Sequence, residues 1–190
     1  MLATLDDPVK AVRRVAVEVV AQTARTRPRL AQHLRAALGS QQSNRRWAAA
    51  FALGQIGSPP SESLPVLLEN LGHPDGDIRW SAHKLLVRLA PAEPRVRMEA
   101  LRLAGSATDH TRKMALYLLR DLGTSDAELH RVVLAALQSP DHNVRLAAVN
   151  VLIKLRIDPP ALLEQLRQLE TADPVAGVRR AARAALGALA

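Results

Sequence analysis

The sequence contains no cysteine, only four aromatic residues and no long run of apolar residues. Without cysteine, the chain has no disulfide framework, no thiolate metal site and no cysteine nucleophile. Aromatic residues are typical of β-strands, so their scarcity argues against a sheet. No apolar stretch reaches the roughly 18 residues of a membrane-spanning helix, and the N-terminus lacks the apolar core of a signal peptide. We therefore expect a soluble, cytoplasmic, all-α protein that does not associate with membranes.

Charge and apolar content are both high. Lysine and arginine number 26 against 18 acidic residues, which gives a formal charge of +8, and most of the basic residues are arginine. A positive charge of this size permits acidic partners, nucleic acid included, without requiring them. Hydrophobic residues make up 48% of the chain, and alanine and leucine are the main types. These are strong helix formers, and alanine lets neighbouring helices approach closely.

A repeat of about 33 residues runs through the whole chain. In each copy an arginine is followed three positions later by alanine and four positions after that by an aliphatic residue. The recurrent arginines are Arg13, Arg46, Arg79, Arg112, Arg145 and Arg179. A period of this length indicates one supersecondary unit stacked on copies of itself.

Each unit contains two helical patterns. In the second pattern, with the recurrent arginine counted as position 2, apolar or small residues fill positions 5, 8, 9 and 12, as on one face of a helix. A turn rich in Asp, Pro and Gly precedes it, and an apolar pattern such as LPVLLENL precedes the turn. We predict a single domain made of a half repeat followed by five helix pairs, at residues 1–23, 24–57, 58–90, 91–123, 124–156 and 157–190.

The pattern Asp-turn-x-Val-Arg-x-x-Ala-x-x-Ala-Leu-Gly, clearest in RRWAAAFALGQIG and DPVAGVRRAARAALG, resembles the short bacterial HEAT-like repeats named after phycobilin lyases. The resemblance implies a right-handed α-solenoid of about five and a half two-helix repeats. It also implies that each recurrent arginine pairs with a turn aspartate of a neighbouring repeat, so that the six arginines form a structural ladder. The family includes scaffolds, regulatory arms, lyases and DNA glycosylase relatives, so fold alone assigns no function.

The aromatic residues are confined to positions 3 and 7 of the second helix, opposite the buried stripe. By the resemblance, these positions line the concave side of the stack. Basic side chains at positions 3, 7 and 10 are interleaved with the rings. The predicted partner-binding residues are Trp47, Phe51, Trp80, Lys84, Lys113, Tyr117 and Arg120. Aromatic residues gathered outside the core are typical of a binding hot spot. The alternative is that the rings pack against neighbouring helices as part of the core.

These residues favour a non-enzymatic scaffold that binds a protein or peptide in an aromatic and basic groove. The first alternative is a nucleic-acid-binding module that stacks bases on the same rings. The second is a lyase or a DNA-glycosylase-like enzyme. The chain contains no Gly-rich phosphate loop, HExxH or GxSxG motif. Glu18 and Asp121 are the acids nearest the predicted groove, and they lack the paired setting of acid/base catalysis.

The sequence predicts no cofactor and no metal. His110 and His142 recur beside aspartates on the turn edge, but they form no compact ligand set. The two ends of the chain, MLATL and RAALGALA, show no polar capping pattern. Since solenoids normally shield their end faces with polar repeats, we expect self-association through these uncapped ends, or a segment of a longer array.

Overall fold

A computed structural model describes residues 7, 9–106, 108–157 and 159–189, apart from the side chains of residues 10, 14 and 106. The described residues form helices joined by short turns, with no β-strand among them, and the all-α prediction is confirmed. Two 3₁₀ turns, Ser61–Ser63 and Asn70–Gly72, flank the short fourth helix. The helices are α1 (Lys10–Ala24), α2 (Pro28–Ala37), α3 (Ser43–Ile56), α4 (Leu64–Glu69), α5 (Gly76–Leu89), α6 (Arg95–Ser106), α7 (Asp109–Leu122), α8 (Ala127–Leu137), α9 (His142–Leu155), α10 (Pro160–Ala172) and α11 (Ala176–Leu189).

The helices follow the predicted order of the repeats. Helix α1 stands where the half repeat was predicted, and the MLATL segment before it lies outside the described residues. Each of the five predicted repeats contains one pair, from α2 and α3 to α10 and α11. The chain divides into two compact units, Met1–Val96 and Arg97–Ala190. The organisation as one domain, with the predicted repeat boundaries, stays a prediction.

Aspartates begin several helices, as the turn pattern predicts. The carboxylate of Asp75 accepts a hydrogen bond from the Asp77 amide (2.9 Å), and that of Asp141 accepts from the amides of Asn143 and Val144 (2.7 and 3.0 Å). Such caps satisfy amides that have no acceptor inside the helix. Asp126 caps α8 in the same way, and the hydrogen bond from the Leu129 amide lowers the pKa of its carboxyl.

The core consists of small and aliphatic residues at the repeated positions. The alanine at position 5 is fully buried in five of the second helices, at Ala49, Ala82, Ala115, Ala148 and Ala182. Glycine extends this close packing in the first unit. A Cβ on Gly54 of α3 would lie only 3.2 Å from Cδ1 of Leu85 of α5. Position 8 of α5 therefore packs directly against the helix of the preceding repeat.

The recurrent arginines bind mainly the turns of their own repeats. Arg46, Arg79 and Arg145 each donate to the carbonyls six and five residues earlier, at distances of 2.6 to 3.1 Å. Arg179 likewise donates to the carbonyls six and five residues before it, those of Asp173 and Pro174. Arg13 donates to the Asp7 carbonyl at 2.6 Å. A guanidinium carries five donors in a rigid fork, so one side chain can hold a turn against the helix that follows it.

Contacts with the next repeat differ from one arginine to another. Arg145 makes a bidentate pair with Asp173 (2.6 and 3.0 Å), a turn aspartate of the next repeat, as the resemblance implies. Arg46 instead binds Glu69 at the end of α4 (2.8 and 3.0 Å). Arg112 lies 3.3 Å from the Ser139 hydroxyl of the next repeat. The implied aspartate partner is therefore present at Arg145 but replaced by a helix glutamate at Arg46. The structural role of the six arginines stays a prediction.

Burial distinguishes the Arg145–Asp173 pair. The two side chains are 8% and 1% exposed. Burial by itself raises the pKa of the Asp173 carboxyl. Hydrogen bonds from Arg145 and the Val175 amide, with the charges of Arg145 and Arg179, outweigh that effect and hold the pKa below its usual value. The charged form of Asp173 is therefore favoured in the folded protein.

This lowered pKa makes stability depend on pH. A carboxyl whose pKa is lower in the folded state contributes stability above its unfolded pKa of about 4, and loses it as the pH falls through the folded value. We expect the urea midpoint to fall on acidification below about pH 4, with a shallower fall for Asp173→Asn. Urea unfolding between about pH 2 and 6 measures both slopes. Identical acid slopes would show that Asp173 does not carry the dependence.

Candidate functional site

A cleft of about 430 Å³ lies in the first unit, on helices α1, α3 and α5. These are the second helices of three consecutive predicted repeats. The walls combine one aromatic pair with aliphatic, polar and charged side chains. They are Arg13, Val17 and Glu18 of α1, Asn44, Trp47, Ala48 and Phe51 of α3, and Asp77, Ile78 and Ser81 of α5. Two residues of the predicted partner-binding set, Trp47 and Phe51, thus line one concave surface.

Trp47 and Phe51 form one stacked wall of the cleft. They lie one helical turn apart on α3, with ring centroids 5.5 Å apart and ring planes inclined by 26°. Both side chains are half-buried, while Ala48, Ala49 and Ala50 between them are buried. The small residues bring α3 against its neighbours and leave the rings at the cleft. Trp47 also borders a second cavity of about 230 Å³ towards Glu69, Asn70 and His73.

Carboxylates flank the rings. Glu18 of α1 and Asp77 at the start of α5 are exposed and line the cleft. Arg13, the basic residue among the lining side chains, also donates to the Asp7 carbonyl. The cleft around Trp47 is therefore of mixed charge, with more acidic than basic lining residues. The basic residues of the predicted groove do not line it.

The sequence predicted the aromatic residues of the cleft, but it did not predict the residues of α5 that line the same cleft. Asp77, Ile78 and Ser81 lie in the first turns of α5, outside positions 3, 7 and 10. The cleft forms where position 3 of one helix meets the first turn of the next helix. These residues could have been found by considering position 3 of one second helix together with the first turn of the second helix one repeat later.

Trp80 and Lys84 lie on α5 but do not line this cleft. The Trp80 side chain is 43% exposed, and its ring meets that of His83 edge to face, with centroids 5.3 Å apart. His83 is buried, whereas Lys84 is exposed. Trp80 therefore packs partly on its own helix and presents the rest of its ring to solvent.

Lys113, Tyr117 and Arg120 lie on α7, in the second compact unit. The Arg120 guanidinium stands 4.9 Å from the centroid of the Tyr117 ring and donates to both carboxylate oxygens of Asp121, at 2.7 and 3.1 Å. The hydrogen bonds that Arg120 donates to the Asp121 carboxylate are the main cause of a raised pKa for Arg120. A single groove that joins these residues to Trp47 stays a prediction.

The acids considered for catalysis are separated by the fold. Glu18 lines the cleft of the first unit, whereas Asp121 binds Arg120 on α7. Among the described residues, no three His, Asp or Glu side chains are grouped closely enough to hold a metal ion. None of the described helices has the length and apolarity needed to cross a membrane.

Comparisons with known proteins agree on the fold. Residues 1–87 match the family model of HEAT repeats. The X-ray structure of Escherichia coli YibA is similar over 97% of this chain and 68% of its own, with 18% identity and a TM-score of 0.67. A designed armadillo repeat protein in complex with a (KR)4 peptide is similar over 100% of this chain and 98% of its own, with 15% identity and a TM-score of 0.57. Designed armadillo repeat proteins for modular peptide recognition give the same coverage, 14% identity and a TM-score of 0.52. No curated protein matches the sequence.

Proposed function

We propose that this chain, a HEAT-like repeat protein, is a non-enzymatic interaction module that binds a peptide segment of a protein partner in the cleft around Trp47 and Phe51. The observation that carries the proposal is the stacked aromatic pair at a concave surface of about 430 Å³. The HEAT and armadillo repeat fold is typically an interaction scaffold. Aromatic side chains that are grouped at a concave surface and partly open to solvent are typical of a binding site.

The size of the cleft suits a peptide anchor. Small-molecule and side-chain pockets have volumes of about 300–1,000 Å³, and this cleft lies at the lower end of that range. One or two side chains of an extended or helical segment would fill it, and the rest of the partner would lie along the flanking helices. Aromatic residues at the centre of such a contact commonly contribute most of the binding free energy.

The charges beside the rings favour a cationic anchor. Lysine and arginine side chains are attracted to the faces of tryptophan and phenylalanine by cation–π interaction. Glu18 and Asp77 stand at the same cleft, where their carboxylates would complement a positive charge. The designed armadillo repeat protein that shares this fold is in complex with a (KR)4 peptide. We therefore favour a basic segment over the acidic partner that Lys84 and Lys113 alone would suggest.

Tryptophan fluorescence tests this proposal directly. Three peptides of equal length are titrated against the whole chain: alternating Lys-Arg, alternating Asp-Glu and neutral Gly-Ser. We expect a saturable change with the basic peptide, at least tenfold weaker for the Glu18→Gln/Asp77→Asn double variant, and little response to the other two. Preference for the acidic peptide would place the binding site elsewhere.

The formal charge of +8 favours nucleic acid as the second candidate ligand. Phosphate binding releases counterions, so that affinity would fall log-linearly with salt concentration. Lys84→Glu and Lys113→Glu would then reduce both the affinity and the salt slope. Mobility-shift measurements with duplex and single-stranded DNA and RNA separate this candidate from a peptide module. No shift at low salt would exclude it.

A further inference from the structure

The second cavity beside Trp47 adjoins the cleft of the proposed peptide site. It has a volume of about 230 Å³, and it shares Asn44, Trp47 and Ile78 with the cleft. A ligand that covers the Trp47 ring in the cleft therefore reaches the edge of this cavity. The volume is below the roughly 300–1,000 Å³ of small-molecule sites and suits a single side chain. The cavity is called the Asn70 cavity below, after the buried side chain that borders it.

Asn70 is a buried polar residue with one free acceptor. It begins the 3₁₀ turn Asn70–Gly72 after α4 and is 7% exposed. Its side-chain nitrogen donates to the Val66 carbonyl at 2.8 Å. Because a carbonyl can only accept, this bond fixes the orientation of the amide, and the oxygen Oδ1 has no partner among the described residues. The oxygen is reachable from solvent, so a donor that enters the cavity can bind it.

The other repeats show that the fold does not require an amide at this place. Only Asn70 is both polar and buried among the residues nine positions before the recurrent arginines, which are Ala37, Asn70, Leu103, Ala136 and Glu170. Ala37 and Ala136 are buried, so alanine fills the equivalent place in two repeats. Helix α4 is also the shortest first helix, with six residues against 10 to 13 in the others. Asn70 and its cavity are thus a local departure from the repeat, next to the aromatic pair.

His73 supplies a donor at the same cavity. Its Nδ1 accepts a hydrogen bond from the Asp75 amide at 3.0 Å, so the proton of the neutral ring lies on Nε2, which can donate to a ligand. Glu69 also borders the cavity, but both of its carboxylate oxygens accept from Arg46, at 2.8 and 3.0 Å. The described lining of the Asn70 cavity therefore offers an acceptor and a donor, and the charge of its one carboxylate is compensated.

We propose that the Asn70 cavity holds a carboxamide side chain, that of glutamine or asparagine, from the same peptide whose basic residue lies against Trp47 and Phe51. The proposal rests on the proposed function. A carboxamide has N–H donors for Asn70 Oδ1 and a carbonyl acceptor for His73 Nε2. Lysine and arginine have no acceptor for His73, and a carboxylate has no donor for Asn70. In an extended peptide, side chains two residues apart lie on the same side, about 7 Å from each other, so residues close in sequence can reach both sites.

Isothermal titration of substituted Lys-Arg peptides against the whole chain tests the proposal. Each central residue of the peptide is replaced in turn by glutamine, and matched peptides carry serine, leucine or glutamate at the same place. We expect one position at which glutamine binds about five- to tenfold more tightly than the other three, the effect of one or two net hydrogen bonds. In Asn70→Ala this preference should disappear, while the unsubstituted Lys-Arg peptide binds as it does to the wild type.

Asn150→Ala is the matched control. Asn150 of α9 makes the same kind of bond, from its side-chain nitrogen to the carbonyl four residues earlier at 2.9 Å, but it is exposed and lies outside the cavity. This variant should keep the glutamine preference. Asn70→Ala should fold, because alanine is buried at the equivalent place of two other repeats, and a thermal melt checks this. Absence of binding by every Lys-Arg peptide would reject the proposed function and the carboxamide site together. Binding without a glutamine preference, or a preference that persists in Asn70→Ala, would reject the carboxamide site alone.

Nuclear magnetic resonance locates the glutamine independently. The preferred peptide is labelled with nitrogen-15 in the side-chain amide of its glutamine and is saturated with the protein. We expect the two amide proton signals to shift with the wild type and to stay near their free positions with Asn70→Ala, because Asn70 Oδ1 accepts from this amide. Signals unchanged by the wild type would place the glutamine in solvent and overturn the proposal.

Discussion

Replacing Arg145 by alanine should lower the free energy of unfolding by about 3–5 kcal/mol, the usual cost of removing one partner of a buried ion pair. The substitution leaves the Asp173 carboxylate 1% exposed without its bidentate donor, and it also removes the bonds to the Ser139 and Pro140 carbonyls. Urea unfolding of the wild type and the variant measures the difference through the midpoint.

Arg79→Ala is the matched control for this prediction. Arg79 donates to the equivalent turn carbonyls of His73 and Pro74. Its replacement should cost about 1–3 kcal/mol, the range for losing hydrogen bonds to buried or half-buried groups. A double-mutant cycle of Arg145→Ala with Asp173→Asn isolates the pair from the turn bonds. If the thermal melts of both alanine variants coincided with that of the wild type, the recurrent arginines would not stabilise the fold.

Trp47→Ala should remove most of the affinity for a basic peptide, by about 2–4 kcal/mol, as at the centre of other interfaces. Trp47 is the larger ring of the stacked wall, and its loss opens that wall towards the second cavity. The melting temperature should stay near that of the wild type, because Trp47 is half-buried and its removal leaves no enclosed core cavity. Isothermal titration and a thermal melt on the same samples measure the two effects.

Trp80→Ala and Tyr117→Ala provide the controls. Neither residue lines the cleft, so we expect both variants to keep wild-type affinity if binding is confined to α1, α3 and α5. Loss of affinity in all three variants would favour the longer groove predicted from the sequence. Unfolding of Trp47→Ala with normal binding by the folded fraction would show that its ring serves packing.

Local structure could be predicted from the sequence because it depends on neighbours along the chain. The 33-residue period predicts the helix pairs, and the aspartates in the turns predict caps such as Asp75 and Asp141. Trp47 and Phe51 could be assigned to one surface because residues four apart lie on the same side of a helix. The residues of α5 that line the same cleft could not be predicted, because their position depends on how two repeats pack together.

The sequence by itself determined the number and order of the helices, the repeated positions that form the core, and the confinement of the aromatic residues to two columns. Helical periodicity and capping are sufficient for all of these, because each is a relation between residues a few positions apart. Only the tertiary structure decided that Arg46 binds Glu69 rather than a turn aspartate, and that Glu18 and Asp77 flank the rings. Positions 6 and 8 are both mostly apolar in the sequence, and which of them faces the preceding repeat follows from the direction of stacking. That direction is a property of packed helices, and no single repeat contains it.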